Sequence, residues 1–465
     1  MNKYWFKNIS IFIFISLLLP SGYIKAQSAS TSRPVYIVQE GDSLWDIAYR
    51  FHVAQADLAN ANGIINTNQI KIGQQLVIPG LEGIQGILTT ENVPFGETIQ
   101  SLSLRYHLST DILKRLNHIT SPNELYVGYF LVILQNDNVP TQGKRVSLGK
   151  DQSLLELAVL SNTDSWTILK DNQLTRSSTA LPGDIIRVPG EDDTGPGALP
   201  PSITSVDISG LTQGQTAEIQ IKGDSGLSIQ GDLMDHTLNF FPDSNNSYVA
   251  LQGVHAMAEP GLYPLTMMGM LPDGSSFDFS QIVLVSAGDF LYDIPLSVDP
   301  ATLDPETTVP EDSNWYKLSS QASLEKLWQG IFSLPVEPIF AECYASRFGS
   351  RRSYNGSDYI YFHTGLDYCG QIGDSIYAAA NGVVVFRGLL TVRGNATMID
   401  HGWGVYTAYM HQSEILVKVG DLVEQGQLIG RVGNTGRVEG PHLHFEVLVG
   451  TVHVNPLEWL NQEFP

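Results

Sequence analysis

This chain of 465 residues is poor in cysteine and short of positive charge relative to negative. Two cysteines, Cys343 and Cys369, are too few for a disulfide-dense scaffold or a four-thiolate metal site. Lys and Arg number 26 against 48 Asp and Glu, giving a formal charge of −22. That balance argues against nucleic-acid and anionic-membrane partners, which require a basic surface to neutralise phosphate, but it would not repel a neutral glycan. Long apolar runs are also missing. The short run Ile9 to Leu19 is flanked by Lys3 and Lys7, breaks at Pro20 and Gly22 and reaches Ala26. It reads as a secretory signal peptide over residues 1–26, with an uncleaved anchor as the alternative. No cysteine near the cleavage point marks a lipoprotein. The expectation is an exported protein without stable membrane insertion after cleavage.

What the chain does have is a concentration of histidine chemistry near its C-terminus. His363 and Asp367 lie in the run HTGLD, and His442 and His444 in HLHFEVLV. Each pair has an even spacing, which in extended chain turns both side chains to one face. In the second run His442, His444 and Glu446 share a face opposite Leu443, Phe445, Val447 and Val449, so a titratable face backs onto an apolar one. Two imidazoles and a carboxylate form a three-ligand set for zinc with a fourth position open to water, the arrangement of a catalytic site. Two further histidines lie between the runs. Alternation in VYTAYMHQS puts Thr407, Tyr409 and His411 on one face, from which His411 would stand beside His442 as a proton shuttle or hydrogen-bond partner. His401, between Asp400 and a Gly-Trp-Gly turn, reads as structural.

These runs, with SRFGSR at 346–351, ANGVVVFRG, YMH, VGDLVEQGQLIGRVGNTG and GPHLHFEV in the same order, resemble the lysostaphin-type (LytM-type) zinc endopeptidases of bacterial cell walls. The resemblance covers about Ile339 to Leu460. It implies one zinc ion held by His363, Asp367 and His444, His442 and His411 as the catalytic pair, and hydrolysis of peptide cross-links in peptidoglycan without a covalent intermediate. It also implies a tyrosine that stabilises the transition state, for which Tyr354, Tyr359 and Tyr361 all qualify. Cys343 and Cys369 flank the first metal run, and in an oxidising exported setting they are expected to form one disulfide. Free thiols or a zinc thiolate at Cys369 are the other readings.

The N-terminal part repeats with an offset of 55 residues, which aligns Leu44, Ile99 and Leu154; Asn62, Asn117 and Asn172; and Gly73, Gly128 and Gly183. Each copy patterns as strand, helix, helix, strand. The first copy, from VYIVQEGDSLWDIAYRF to IKIGQQLVIPG, resembles a LysM module, which implies binding of N-acetylglucosamine-containing glycan through Gly41, Asp42, Ser43 and Ile70. Asp42 and Ser43 would also serve as helix caps. The later copies keep their core positions better than these loop residues, so weaker or absent sugar binding is expected there.

The organisation expected is therefore multidomain α+β and all-β. LysM-like βααβ modules span 35–80, 88–135 and 144–190, a linker spans 191–202, and an Ig-like β-sandwich spans 203–287. An acidic, Pro-rich linker with a helix near Ser323–Gly330 spans 295–335, and an antiparallel β-sheet peptidase domain spans 336–460. Both ends then address one polymer, as a tethered zinc metalloendopeptidase of the cell wall, periplasm or extracellular space. A catalytically silent adaptor that activates another hydrolase, and a purely carbohydrate-binding structural protein, are the alternatives.

Overall fold

A computed structural model describes residues 33–135, 143–191, 193–243 and 246–465; the expected signal peptide lies outside them. Among the described residues no helix is long and apolar enough to cross a membrane.

The three repeats fold alike. The first comprises β1 (Val35–Ile37), α1 (Leu44–Arg50), α2 (Gln55–Ala61) and β2 (Gln75–Val77); the second β3 (Ile87–Asn92), α3 (Ile99–Tyr106), α4 (Thr110–Asn117) and β4 (Phe130–Leu134); the third β5 (Lys144–Ser147), α5 (Leu154–Leu160), α6 (Ser165–Asp171) and β6 (Ile185–Val188). The repeated asparagine explains the conserved register. In every copy its amide donates to a carbonyl one turn back and to one in the closing strand, while its oxygen accepts the N–H of that strand, as at Asn117 with Leu113 and Val132. Asn62 and Asn172 make the same three bonds. The first two copies are not separate beads. β1 pairs antiparallel with β2 and parallel with β3, so both copies share the sheet β2-β1-β3-β4 and one buried cluster.

The sandwich consists of β7 (Ile203–Ser209), β8 (Thr216–Gly223), β9 (Ser228–Leu233), β10 (His236–Asn239), β11 (Phe241–Asp243), β12 (Ser247–Gly253), β13 (Gly261–Met270) and β14 (Ser276–Val285). They form two antiparallel sheets, β10-β9-β13-β14 and β11-β12-β8-β7. The chain changes sheet between β10 and β11.

The segments expected to be linkers are docked. In 191–202, Asp193 pairs with the buried Arg145, whose guanidinium also donates to the carbonyls of Pro196, Leu199 and Ile203. In 295–335 the helix stands earlier than expected: α7 spans Pro305–Ser319, and residues 323–330 are irregular. Asp304 caps α7 and Pro305 takes its first position, where a missing N–H costs nothing. The interior Pro310 is tolerated because burial elsewhere outweighs it. Trp315 is fully buried, and the buried Glu311 carboxylate accepts the N–H groups of Thr391, Val392 and Arg393. Residues 323–330 instead bond their backbone to the following domain, Leu327 N–H to the His401 carbonyl and Trp403 N–H to the Ser323 carbonyl.

The C-terminal domain contains β15 (Tyr344–Ser346), β16 (Arg351–Arg352), β17 (Tyr361–Phe362), β18 (Leu366–Cys369), β19 (Ser375–Tyr377), β20 (Gly382–Leu390), β21 (Gly394–Gly402), β22 (Val405–Gln412), β23 (Glu414–Ile415), β24 (Leu422–Val423), β25 (Leu428–Arg431), β26 (His442–Val449), β27 (Val452–Val454) and α8 (Pro456–Asn461). Its main sheet is antiparallel, ordered β15-β18-β26-β22-β21-β20-β24, with β27 on β26. Cys343 and Cys369 are disulfide-bonded, tying the segment before β15 to the end of β18. The sandwich joins this domain through core, since Phe241, Val249 and Leu251 share a buried cluster with Val447, Val454 and Trp459.

Replacing the buried Asn117 with Ala leaves a strand N–H and two carbonyls without their partner. The expected loss is about 2–3 kcal/mol of stability, read as a lower midpoint in urea unfolding.

Candidate metal centre and glycan loops

β18 and β26 place the centre. Asp367 lies opposite His444 in their antiparallel register, so both side chains leave the same face of the sheet. His363 arrives differently from the extended-chain expectation. It sits between β17 and β18, and the chain bends through Thr364 and Gly365 before Asp367. A Cβ on Gly365 would stand 2.4 Å from the Phe445 carbonyl oxygen and 2.8 Å from His444 Nε2, so only glycine permits this bend against β26.

Three acceptor atoms converge there. Asp367 Oδ1 is 2.7 Å from His444 Nδ1 and 2.9 Å from His363 Nε2, and the two nitrogens are 3.0 Å apart. All three residues are buried and could hold a metal ion. The surroundings fix each tautomer. His363 Nδ1 is 2.9 Å from the Arg347 carbonyl and donates to it, which leaves Nε2 as a lone pair. His444 Nε2 is 3.1 Å from Glu446 Oε1 and donates to that carboxylate, which leaves Nδ1 as a lone pair. Thus two imidazole lone pairs and a carboxylate oxygen face one point, a donor set that suits a divalent ion.

The electrostatics agree with the geometry. Burial disfavours charge on His444, but Asp367 and Glu446 outweigh it and raise its pKa to about 9, so with no metal bound a proton takes the place between His444 and Asp367 at neutral pH. Asp367 is held well below the usual carboxylate range, since His363 and His444 overcome its burial. Glu446 is fully buried, accepts Trp315 Nε1–H at 3.3 Å and lies 3.3 Å from His453 Nε2. Arg352 links Asp367 to the wall of the site, donating to Asp367 Oδ2 at 3.3 Å and to Asp293 Oδ2 at 3.0 Å.

His442 and His411 stand beside this group with ring centroids 4.9 Å apart. His442 Nδ1 donates to the Gly440 carbonyl at 2.8 Å, and its Nε2 is 3.5 Å from Asp367 Oδ1. His411 Nδ1 donates to the Thr435 carbonyl at 2.8 Å. Burial, helped by His444 and His442, pushes the His411 pKa down to about 3. The route of His411 to the cleft corrects the alternation reading. In the β22–β26 register Met410, not His411, faces the same way as His444, and Tyr409 packs into the opposite core. His411 reaches the site because its backbone is left-handed, at φ +62°, where the pairing with β21 slips. His401 is fully buried between the Asn381 carbonyl and the Thr407 hydroxyl, which fits its structural reading.

Two cavities flank the centre, of about 440 and 710 Å³, and both are lined by Arg352, Tyr354, His411, Arg437 and His444. Of the three tyrosines, Tyr354 lines both and Tyr361 one, whereas Tyr359 donates its hydroxyl to the Asp293 carbonyl. Residues of α7 and the chain before it form much of the remaining wall. Sequence reasoning missed that wall, together with Arg352, Arg437 and Glu446's hold on His444. The double arginine after SRFGS and the third member of the HLHFE face were the available signals.

In the first repeat Ser43 caps α1, accepting Asp46 N–H at 3.1 Å. Asp42 accepts the Tyr36 hydroxyl and Gln39 N–H, both at 2.7 Å, and pairs with Arg50. Gly41 turns with φ +88°, and Ile70 packs partly onto the repeat's core. The equivalent loop of the second repeat is covered. Gly96 N–H donates to Gln281 of the sandwich at 2.8 Å, Val127 bridges to Val283, and Phe95 lies in the sandwich core.

An antiparallel β-sheet domain with a buried His-Asp-His group, preceded by βααβ repeats, defines the class of architecture. Residues 361–456 match Peptidase family M23, and residues 36–79 and 93–133 match the LysM domain, so the C-terminal segment is an M23 domain and the chain carries two LysM domains. The chain is 44% identical over 112 residues to the peptidoglycan DD-endopeptidase ShyC of Vibrio cholerae, covering 24% of this chain and 26% of that protein. To the peptidoglycan DD-endopeptidase ShyB of the same organism it is 33% identical over 162 residues, 35% of this chain and 36% of the relative. To the DD-carboxypeptidase/endopeptidase Mpg of Neisseria meningitidis it is 45% identical over 95 residues, 20% of this chain and 22% of the relative. The chain thus spans about a quarter to a third of the length of the first two relatives.

Gly365→Ala is expected to drive β18 away from β26 and part Asp367 from His444. Metal affinity should fall at least about tenfold, measured by competition with a chromogenic chelator.

Proposed function

We propose that this protein is an exported zinc metalloendopeptidase that hydrolyses peptide cross-links of peptidoglycan while its LysM domains hold the glycan. The convergence of His363 Nε2, Asp367 Oδ1 and His444 Nδ1 within an M23 segment is the observation that carries this reading. The relatives named as peptidoglycan DD-endopeptidases support the substrate class.

Zinc held by these three atoms supplies Lewis acidity toward water and the scissile carbonyl. The remaining work falls to side chains. With Nδ1–H anchored on the Gly440 carbonyl, His442 keeps its Nε2 lone pair for the cleft. There it takes a proton from the attacking water and returns it to the leaving amine. His411 stays neutral, because burial lowers its pKa to about 3, and serves as a second acceptor that orients the water. Tyr354 accepts from Arg352 Nη1 at 3.4 Å, so its own proton is available to the carbonyl oxygen as that atom gains charge.

Glycan recognition is assigned to the loops of the first repeat, through the backbone around Gly41, Asp42 and Ser43, and Ile70, since the side chains of Asp42 and Ser43 are engaged within the module. The second repeat serves as the joint to the sandwich, which is the spacer. The setting proposed is the cell wall, periplasm or exterior, with neither nucleic acid nor bilayer as partner. The silent-adaptor reading is not favoured, because the ligand set and both histidines are present together.

Purified protein should contain about one zinc per chain and release soluble fragments from purified peptidoglycan. His442→Ala should retain the metal and lose about 100-fold or more of the activity, and a chelator should abolish it. Zinc binding without any release by the unmodified protein would return the adaptor reading.

A further inference from the structure

Three arginines line the cavities beside the centre, and two of them are committed to carboxylates of this chain. Arg352 pairs with Asp293 and Asp367, and Arg393 with Glu311 and Asp312. Arg437 has no such partner: among the described residues no carboxylate lies within ion-pair distance of it. Asp299 and Glu439 line the same cavity, but the Asp299 carboxylate caps the turn at Ala301 and neither reaches the guanidinium.

The position of Arg437 is fixed. Its backbone N–H donates to the Val392 carbonyl at 2.9 Å, and the preceding Gly436, at φ +80°, packs so closely that a Cβ there would meet Gly394 N at 2.4 Å. One guanidinium nitrogen donates to the Thr302 carbonyl at 3.1 Å, and the group lies 4.7 Å from the centre of the Tyr354 ring. Tyr354 contacts Arg352, which contacts Asp367, so two side chains separate this cation from the metal group. The same loop holds His411 through the Thr435 carbonyl.

An arginine held in this way, with part of its fork uncommitted and no internal counter-ion, is a preformed receptor for a carboxylate. We infer that Arg437 is a specificity-determining residue that receives a free carboxylate of the peptide being cut, one or two residues from the scissile amide. The occupant is an acidic peptide, and the same peptide with its carboxylate amidated is the poorer substrate. This rests on the peptidase reading above and narrows it, since a general peptide groove would have no use for a positioned cation.

The test uses the full chain loaded with zinc and two synthetic cross-linked peptides that differ only in a carboxylate or carboxamide beside the scissile bond. The unmodified protein should show a KM about tenfold lower for the acid than for the amide, the scale of one charge-assisted hydrogen bond. Arg437→Gln should raise KM for the acid toward that of the amide, with the change in KM rather than kcat, and Arg437→Lys should restore part of the difference. Equal KM values for the two peptides with the unmodified protein, or unaltered discrimination in Arg437→Gln, would overturn the assignment. If neither peptide is cut, the peptidase reading fails separately. Calorimetric binding of both peptides to the unmodified protein and to Arg437→Gln then decides: tighter binding of the acid that is lost in Arg437→Gln upholds the receptor, and equal binding removes it.

Discussion

Two imidazole lone pairs and a carboxylate oxygen are turned toward one another in a buried place, and much of the C-terminal domain serves to keep them so. Left to themselves, three acceptors repel; a cation or a proton among them is what makes the arrangement favourable. The surrounding bonds prevent the easy escape, which would be a ring flip or a change of tautomer. The Arg347 carbonyl occupies the far nitrogen of His363, and Glu446 that of His444. Glu446 is itself held by Trp315 and His453, so the restraint passes outward from the centre into α7 and β27.

That outward path revises where the working domain begins. Trp315 fills a pocket formed by Ala396, Met398, Tyr406, Ala408, Met410 and Leu448, and Glu311 collects three backbone N–H groups from the turn between β20 and β21. A segment whose composition reads as an acidic, Pro-rich linker is therefore one wall of the cleft. Residues 305–319, which precede the expected start at 336, thus pack onto that domain.

Much of this was legible in the sequence, for identifiable reasons. The HLHFEVLV run shows its two faces because strand alternation is strict where one side packs in a core. The 55-residue repeat shows because the asparagine cross-brace and core leucines recur at fixed offsets. The fold class, the sandwich and the cysteine pair were likewise within reach. Other features depend on tertiary choices that no local pattern records. His411 escapes the alternation of its own strand through a left-handed residue, and His363 belongs to a bend rather than a strand. α7 forms against a proline in its interior because Trp315 and Glu311 find partners about 80 or more residues away. The parallel pairing of β1 with β3, which merges two repeats, has no signature in either copy.

That merged sheet has a mechanical corollary. The first two repeats, the sandwich and the M23 domain are joined in series by backbone bonds or shared core: β1 on β3, Val127 on Val283, and the Asn455 N–H on the Gly214 carbonyl. On the function proposed above, joints of this kind would make the molecule a caliper rather than a leash: gripping a strand at one end would set, in ångströms, how far away the other end can cut.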